Sequence, residues 1–394
     1  MTLPWRAWAS AAVALIAPAT AFADSANLAD MVDDLRRIQL QIAQGDKAAY
    51  PAQLNQLKTM GAAIAAAQPE TWKDRRQADS LVIYILSGGS LADLAPLLKG
   101  DAVVESERAL ARGALAYVTN HEADAMSLLG KQDLSALDAR LAGEVAFARS
   151  VLETKRDAKA AVELLDWARL LAPGGLVEEA ALRREIALLA EAKDVGRAAM
   201  LTRQYATRFA ASLYAADFFR DLAVAIARFG LADDPGDYQL VSRAVASLPP
   251  DRRRDFLLTL AKSAVVNARF DAAAAAATEA LEGAGADSPE AMRARLYLAA
   301  SRMFSDAYDA AAADLRTMAA SKLDRADANL LAAVRRVASE LRIAPDADAV
   351  SSSAAPLDDG DKDKDKASGP ALTIERAQGA LDRTAGLVPD GGAR

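Results

Sequence analysis

From residue 28 onward, apolar positions recur every three or four residues, in runs of about 12 to 20 broken by short polar turns. Leu28, Met31, Leu35, Ile38 and Ile42 make the first stripe, and Gly45-Asp46 ends it. A second run, 51–67, is expected to face inward through Leu54, Leu57, Ala63 and Ile64. Further helices are predicted at 75–86, 91–98, 103–119, 122–129, 134–153, 158–171, 176–191, 195–209 and 213–229. The series continues at 238–247, 252–268, 271–281, 289–304, 307–319 and 325–341. Val, Ile and Thr, the strand formers, are thinly spread. The pattern predicts an all-α chain.

Three segments share a character. ARFDAAAAAATEAL at 268–281 and DAYDAAAADLRTMA at 306–319 align with a shift of 38 residues. Each has an aromatic residue, then Asp, then an alanine-rich helix, and RDAKAAVELLDWARLLAP at 156–173 has the same character. This is the look of a degenerate tetratricopeptide-type helix pair. Such pairs bury their apolar faces only by stacking, so the expected architecture is a right-handed α-solenoid of stacked helix pairs. Chance similarity among alanine-rich helices is the competing explanation, because the spacing is not uniform.

Composition agrees with helix and adds an address. Hydrophobic residues make up 52% of the chain but aromatic ones only 5%, and alanine fills the difference. Residues 1–23 read as a signal peptide: Arg6, the apolar run 11–17, then Ala21-Phe22-Ala23, with cleavage between Ala23 and Asp24. The apolar run is too short for a membrane span of roughly 20 residues. The expectation is therefore a soluble, exported protein in the periplasm, with no stable membrane insertion once the signal is removed.

The helical domain is expected over 24–343. Residues 344–370, with SSS at 351–353 and DDGDKDKDK at 358–366, read as a disordered Asp/Lys/Ser/Pro linker. Residues 371–388 read as an amphipathic C-terminal helix with Ile374, Ala377, Leu381 and Ala385 as its stripe. A calcium loop starting at Asp359 fails, since Lys364 stands where the turn glycine belongs and Pro370 where the closing glutamate belongs.

Candidate chemistry is sparse. There is no cysteine and one histidine, His121, in the polar turn TNHEAD, where a solvated residue is the expected reading. SGGS at 87–90 lacks the spacing of a phosphate loop and reads as a helix stop. A net charge of −7 gives no basic field for nucleic acid. A glycosidase on a helical scaffold would need two facing acids, and no such pair is located by spacing. No catalytic residue, cofactor, metal site or small-molecule substrate is expected.

The break APGG at 172–175 leads into a helix whose first turn carries Glu178 and Glu179 beside unpaired amides, with Gly175 as the cap residue. Glu179 and Arg183 stand in the favourable i,i+4 order, and Leu182, Ile186 and Leu189 form the expected buried stripe. Glu178, Glu179, Arg183 and Arg184 are taken as exposed charges and as candidate partner contacts; a solvated face with intrahelical ion pairs is the competing reading.

The block LDWARLLAPGGLVEEAALRREIAL at 165–188 resembles the most distinctive stretch of the MotC family, periplasmic motility proteins of alphaproteobacterial flagellar motors. PETWKDRRQADSLVIYILSGGS at 69–90, RGALAYVTNHEADAMSLL at 112–129 and RQYATRFAASLYAADFF at 203–219 are similar to its other segments. The family pattern carries Thr where this chain has Gly175, and both residues serve as N-caps. The resemblance implies a non-enzymatic protein required for flagellar rotation that acts on the periplasmic domain of the stator protein MotB. A generic tetratricopeptide-type adaptor of envelope assembly is the alternative function.

Overall fold

The computed structural model describes residues 27–341 apart from 93 and 101. The expected signal peptide and its cleavage point, the linker and the C-terminal helix lie outside the described residues. Every regular element among the described residues is helical.

Two compact units meet between Ala215 and Ala216. The first holds α1 (Leu28–Ala43), α2 (Ala49–Ala66), α3 (Arg75–Leu86), α4 (Leu94–Lys99), α5 (Glu105–Val118), α6 (Glu122–Leu129), α7 (Ala139–Glu153), α8 (Ala158–Leu171), α9 (Leu176–Glu191) and α10 (Val195–Arg208). The second holds α11 (Ala215–Phe229), which opens at the boundary, then α12 (Pro235–Ala244), α13 (Pro250–Val266), α14 (Phe270–Leu281), α15 (Pro289–Ser301), α16 (Tyr308–Thr317) and α17 (Arg325–Leu341).

In the first unit α3 is buried on all sides from Ala78 to Ile85, which makes it a central helix rather than an amphipathic one. Trp72, Met60 and Leu35 pack around it in one apolar cluster. The helix stops at a glycine pair for two separate reasons. Gly88 has φ +90°, the left-handed region. A Cβ on Gly89 would lie 2.3 Å from the Tyr84 ring, so only glycine lets the chain fold back over it. The Tyr84 hydroxyl then donates to the Ser90 carbonyl at 3.3 Å.

Asp side chains cap most of the neighbouring helices: Asp74 for α3, Asp138 for α7, Asp157 for α8 and Asp194 for α10. Gly175 begins α9 with no side-chain cap. Its φ of −95° is ordinary and a Cβ there would meet open space, so the threonine of the family pattern fits the same backbone.

In the second unit alanine lets the helices approach closely. Ala272, Ala273, Ala276, Ala277 and Ala280 bury the face of α14 against α13 and α15. Phe270, which opens α14, stacks on Phe304 with centroids 5.0 Å apart.

Two expectations need correction. Leu54 is 51% exposed. The buried stripe of α2 runs through Ala49, Leu57, Met60 and Ile64, and at 100° per residue Leu54 falls about 100° from its centre, where Gln53 lies instead. Two proline-bearing helices, α12 and α13, also start earlier than expected. Pro235 and Pro250 occupy first-turn positions, where the missing N–H costs nothing, so each opens a helix rather than marking a break, as Pro289 does at the expected start of α15.

Candidate functional site

The four candidate contact residues sit on α9, and the expectation that they are exposed is corrected for the carboxylates. Glu178 is 1% exposed and Glu179 is 0% exposed. Arg183 and Arg184 are half-buried. The reason is that α9 is covered by α8 on one side and α10 on the other, so its polar residues lie in the seam between them.

Gly174, at φ +87°, turns the chain so that its own N–H donates to the Glu178 carboxylate. The other Glu178 oxygen accepts from Gln204 Nε2 at 3.1 Å and from the Arg208 guanidinium. Glu179 uses a single oxygen, Oε1, to accept the Tyr205 hydroxyl at 2.8 Å and the Ser212 hydroxyl at 2.5 Å. Its Oε2 is buried and makes no hydrogen bond. Desolvation raises the Glu179 carboxyl above the usual range, although Arg183, Ser212 and Tyr205 all oppose the shift. Arg183 lies 3.9 Å from that carboxylate and 4.7 Å over the Tyr214 ring. Arg184 instead donates to the Thr154 hydroxyl at 2.9 Å.

One turn further along, sequence reasoning missed the centre of the seam. Glu185 is fully buried and accepts from Arg169 Nε of α8 and Arg197 Nη2 of α10, each at 2.8 Å. Asp166 pairs with both of the same arginines. Burial outweighs the two guanidinium groups and holds the Glu185 carboxyl above its ordinary value. A signal for it exists in the sequence: Glu178, Leu182, Glu185 and Leu189 share one face of α9, so two carboxylates interrupt an apolar stripe.

The second unit repeats the device. Asp327 is 0% exposed and receives Arg293 Nε at 3.0 Å, Lys262 Nζ at 2.8 Å and the Tyr297 hydroxyl at 2.7 Å. Asp327, Leu331 and Val334 again place an acid in a buried stripe.

His121 sits as the cap residue of α6, exposed, with Nδ1 2.9 Å from the Thr119 hydroxyl. Among the described residues no group of three or more acidic, histidine or cysteine side chains is placed to hold a metal ion.

One buried acid has no hydrogen bond at one of its oxygens among the described residues. Asp79, 9% exposed on α3, has an Oδ1 with no hydrogen bond. Desolvation lifts its carboxyl to about 6; Arg75 opposes this and Glu107, Asp138 and Asp74 add to it. A raised carboxyl means the folded state binds its proton more tightly than the unfolded one. The destabilisation is complete above pH 6 and fades as pH falls toward 4. Asp79→Asn is therefore expected to stabilise the protein by about 1–2 kcal/mol at neutral pH, with the gain vanishing near pH 4. Urea melts at the two pH values check this, and equal effects at both would refute it.

These seams define a class: an all-helical protein whose buried charges tie helix to helix. The chain belongs to the MotC family of chemotaxis and motility proteins, since the family model described as "Chemotaxis protein MotC" matches residues 2–391. A curated relative, chemotaxis protein MotC of Rhizobium meliloti (strain 1021), is 29% identical over 261 residues, which is 66% of this chain. The match spans 59% of that relative's length. No solved structure matches the chain. Among the described residues no helix is long and apolar enough to cross a membrane.

Proposed function

We propose that this protein is a non-catalytic periplasmic scaffold, required for flagellar rotation, that binds the periplasmic domain of the stator protein MotB. The observation that carries the reading is the family match across nearly the whole chain. Residues 1–23 would direct export with cleavage between Ala23 and Asp24. The domain 24–343 would be a right-handed, tetratricopeptide-like α-solenoid, followed by the linker 344–370 and the helix 371–388. Support for stacked pairs comes from the packing of successive helices, α7 on α8 on α9 on α10 in one unit and α13 on α14 on α15 in the other.

The mechanism is differential binding: a scaffold that prefers the rotation-competent stator raises its population by the ratio of its affinities for the two states. Of the four candidate contacts, Arg183 and Arg184 keep some surface, whereas Glu178 and Glu179 act by fixing α9. The outer face of α8 adds Trp167 and Leu170, 49% and 72% exposed, as apolar anchors. Trp167→Ala with Leu170→Ala is expected to weaken capture of the MotB periplasmic domain at least roughly tenfold while leaving the melting temperature unchanged. A deletion strain with intact flagella is expected not to swim. Normal swimming refutes the rotation role, and absence of co-purification with the stator domain refutes the partner.

A further inference from the structure

Within the second unit, three helix ends share one edge. Val266 closes α13 and Phe270 opens α14; Phe304 follows α15 and Tyr308 opens α16. The Phe270 and Phe304 rings stack with centroids 5.0 Å apart, so these two turns lie side by side. The Tyr308 hydroxyl donates to the Ala338 carbonyl at 2.6 Å, which places the last turn of α17 beside them. The chain leaves α17 at Leu341, within a turn of that contact. The edge is apolar and uncovered: Val266 and Phe304 are exposed, Phe304 by 48%, and Phe270 is half-buried. Burying such an aromatic pair contributes far more than leaving it in water. Asp271 and Asp306, next to Phe270 and two residues beyond Phe304, are exposed, and their carboxylates make no ion pair among the described residues.

We propose that residues 371–388 of this chain, which lie outside the described residues, dock on this edge as a helix and lay Ile374, Ala377, Leu381 and Ala385 on Val266, Phe270 and Phe304. On a helix the stripe from Ile374 to Ala385 runs about 17 Å. That length crosses the ends of neighbouring helices, whose axes pack about 8–10 Å apart. Arg376 and Arg383 flank the stripe on one side, Glu375 and Asp382 on the other. The basic flank matches Asp271 and Asp306 in sign.

Chain length favours this occupant over a second molecule. Residues 342–370 tether the segment to the end of α17. A tether of that length spans roughly 30 Å as a flexible coil, which gives an effective concentration of about millimolar at the edge. A separate protein at micromolar concentration competes poorly against that. The segment also needs a surface. Gly379 at its middle costs about 1 kcal/mol of helix, and a lone helix of this length is marginal in water, so docking is what stabilises it. The family match runs to residue 391 and so takes in the whole segment.

The test is amide hydrogen exchange of the full chain, read by mass spectrometry, for the wild type, Phe304→Ser and Leu381→Asp. Wild-type amides in 371–388 should exchange at least about tenfold more slowly than an unstructured peptide. Each substitution should remove that protection while circular dichroism shows the helical domain still folded. Leu381→Asp should also speed exchange at 302–308, a readout that does not require Phe304→Ser to fold. The proposal is overturned if wild-type 371–388 exchanges at the unstructured rate, if its protection survives Phe304→Ser, or if 302–308 is unchanged in Leu381→Asp. Protection that falls on dilution also overturns it, because the edge would then belong to a second copy of the chain.

Discussion

Glu185→Ala is expected to lower the stability of the folded chain by about 3–5 kcal/mol. The wild-type carboxylate is fully buried and answers two guanidinium groups at 2.8 Å, one from α8 and one from α10. Truncation leaves Arg169, whose side chain is 12% exposed, and Arg197 with only Asp166 between them. A buried cation without its counter-charge costs far more than the intact pair contributes, because its desolvation is no longer offset. Glu185→Gln keeps the shape and one acceptor oxygen and should be milder. Urea unfolding measures both, and a loss below about 1 kcal/mol for the alanine variant would show that water enters the seam.

A comparable loss, about 3–5 kcal/mol, is expected for Asp327→Ala in the second unit. Three donors converge on this carboxylate from α13, α15 and within α15's next turn: Lys262, Arg293 and Tyr297. Its removal strands two positive charges and a buried hydroxyl. The exposed acid Asp251 pairs only with its own helix neighbour Arg254 at 3.4 Å, so Asp251→Ala should cost less than about 1 kcal/mol. Equal losses at the two positions would mean that burial does not govern these pairs.

Much of the helix pattern was readable because it rests on local periodicity. The ranges expected for α3, α6, α8, α9 and α17 coincide with the observed helices. Where the expectation slipped, a nearer cue had been misjudged. The run expected at 134–153 divides because Asp138 caps a new helix after a short 3₁₀ turn at Leu134–Ala136. The prolines of α12 and α13 looked like interruptions and are openings.

The site was less legible. Glu178 and Glu179 looked like surface charges because spacing within one helix cannot reveal a helix on each side of it. Partners such as Tyr205 and Ser212, 26 and 33 residues away from Glu179, have no local signature. What could have been read was the placement of Glu185 among Leu182, Ile186 and Leu189, since an acid in an apolar row needs a partner that the row itself does not supply.

The shared grip of Glu185 and Asp166 on the same two arginines restricts how this protein can diverge. An apolar version of the seam is physically reasonable, since well-packed hydrophobic residues often replace a buried ionic group without loss. Reaching it one substitution at a time means passing through chains that carry a stranded charge, each disfavoured by several kcal/mol. Descendants of this sequence are thus expected to change around these four side chains far more readily than at them, and to exchange them, when they do, as a set.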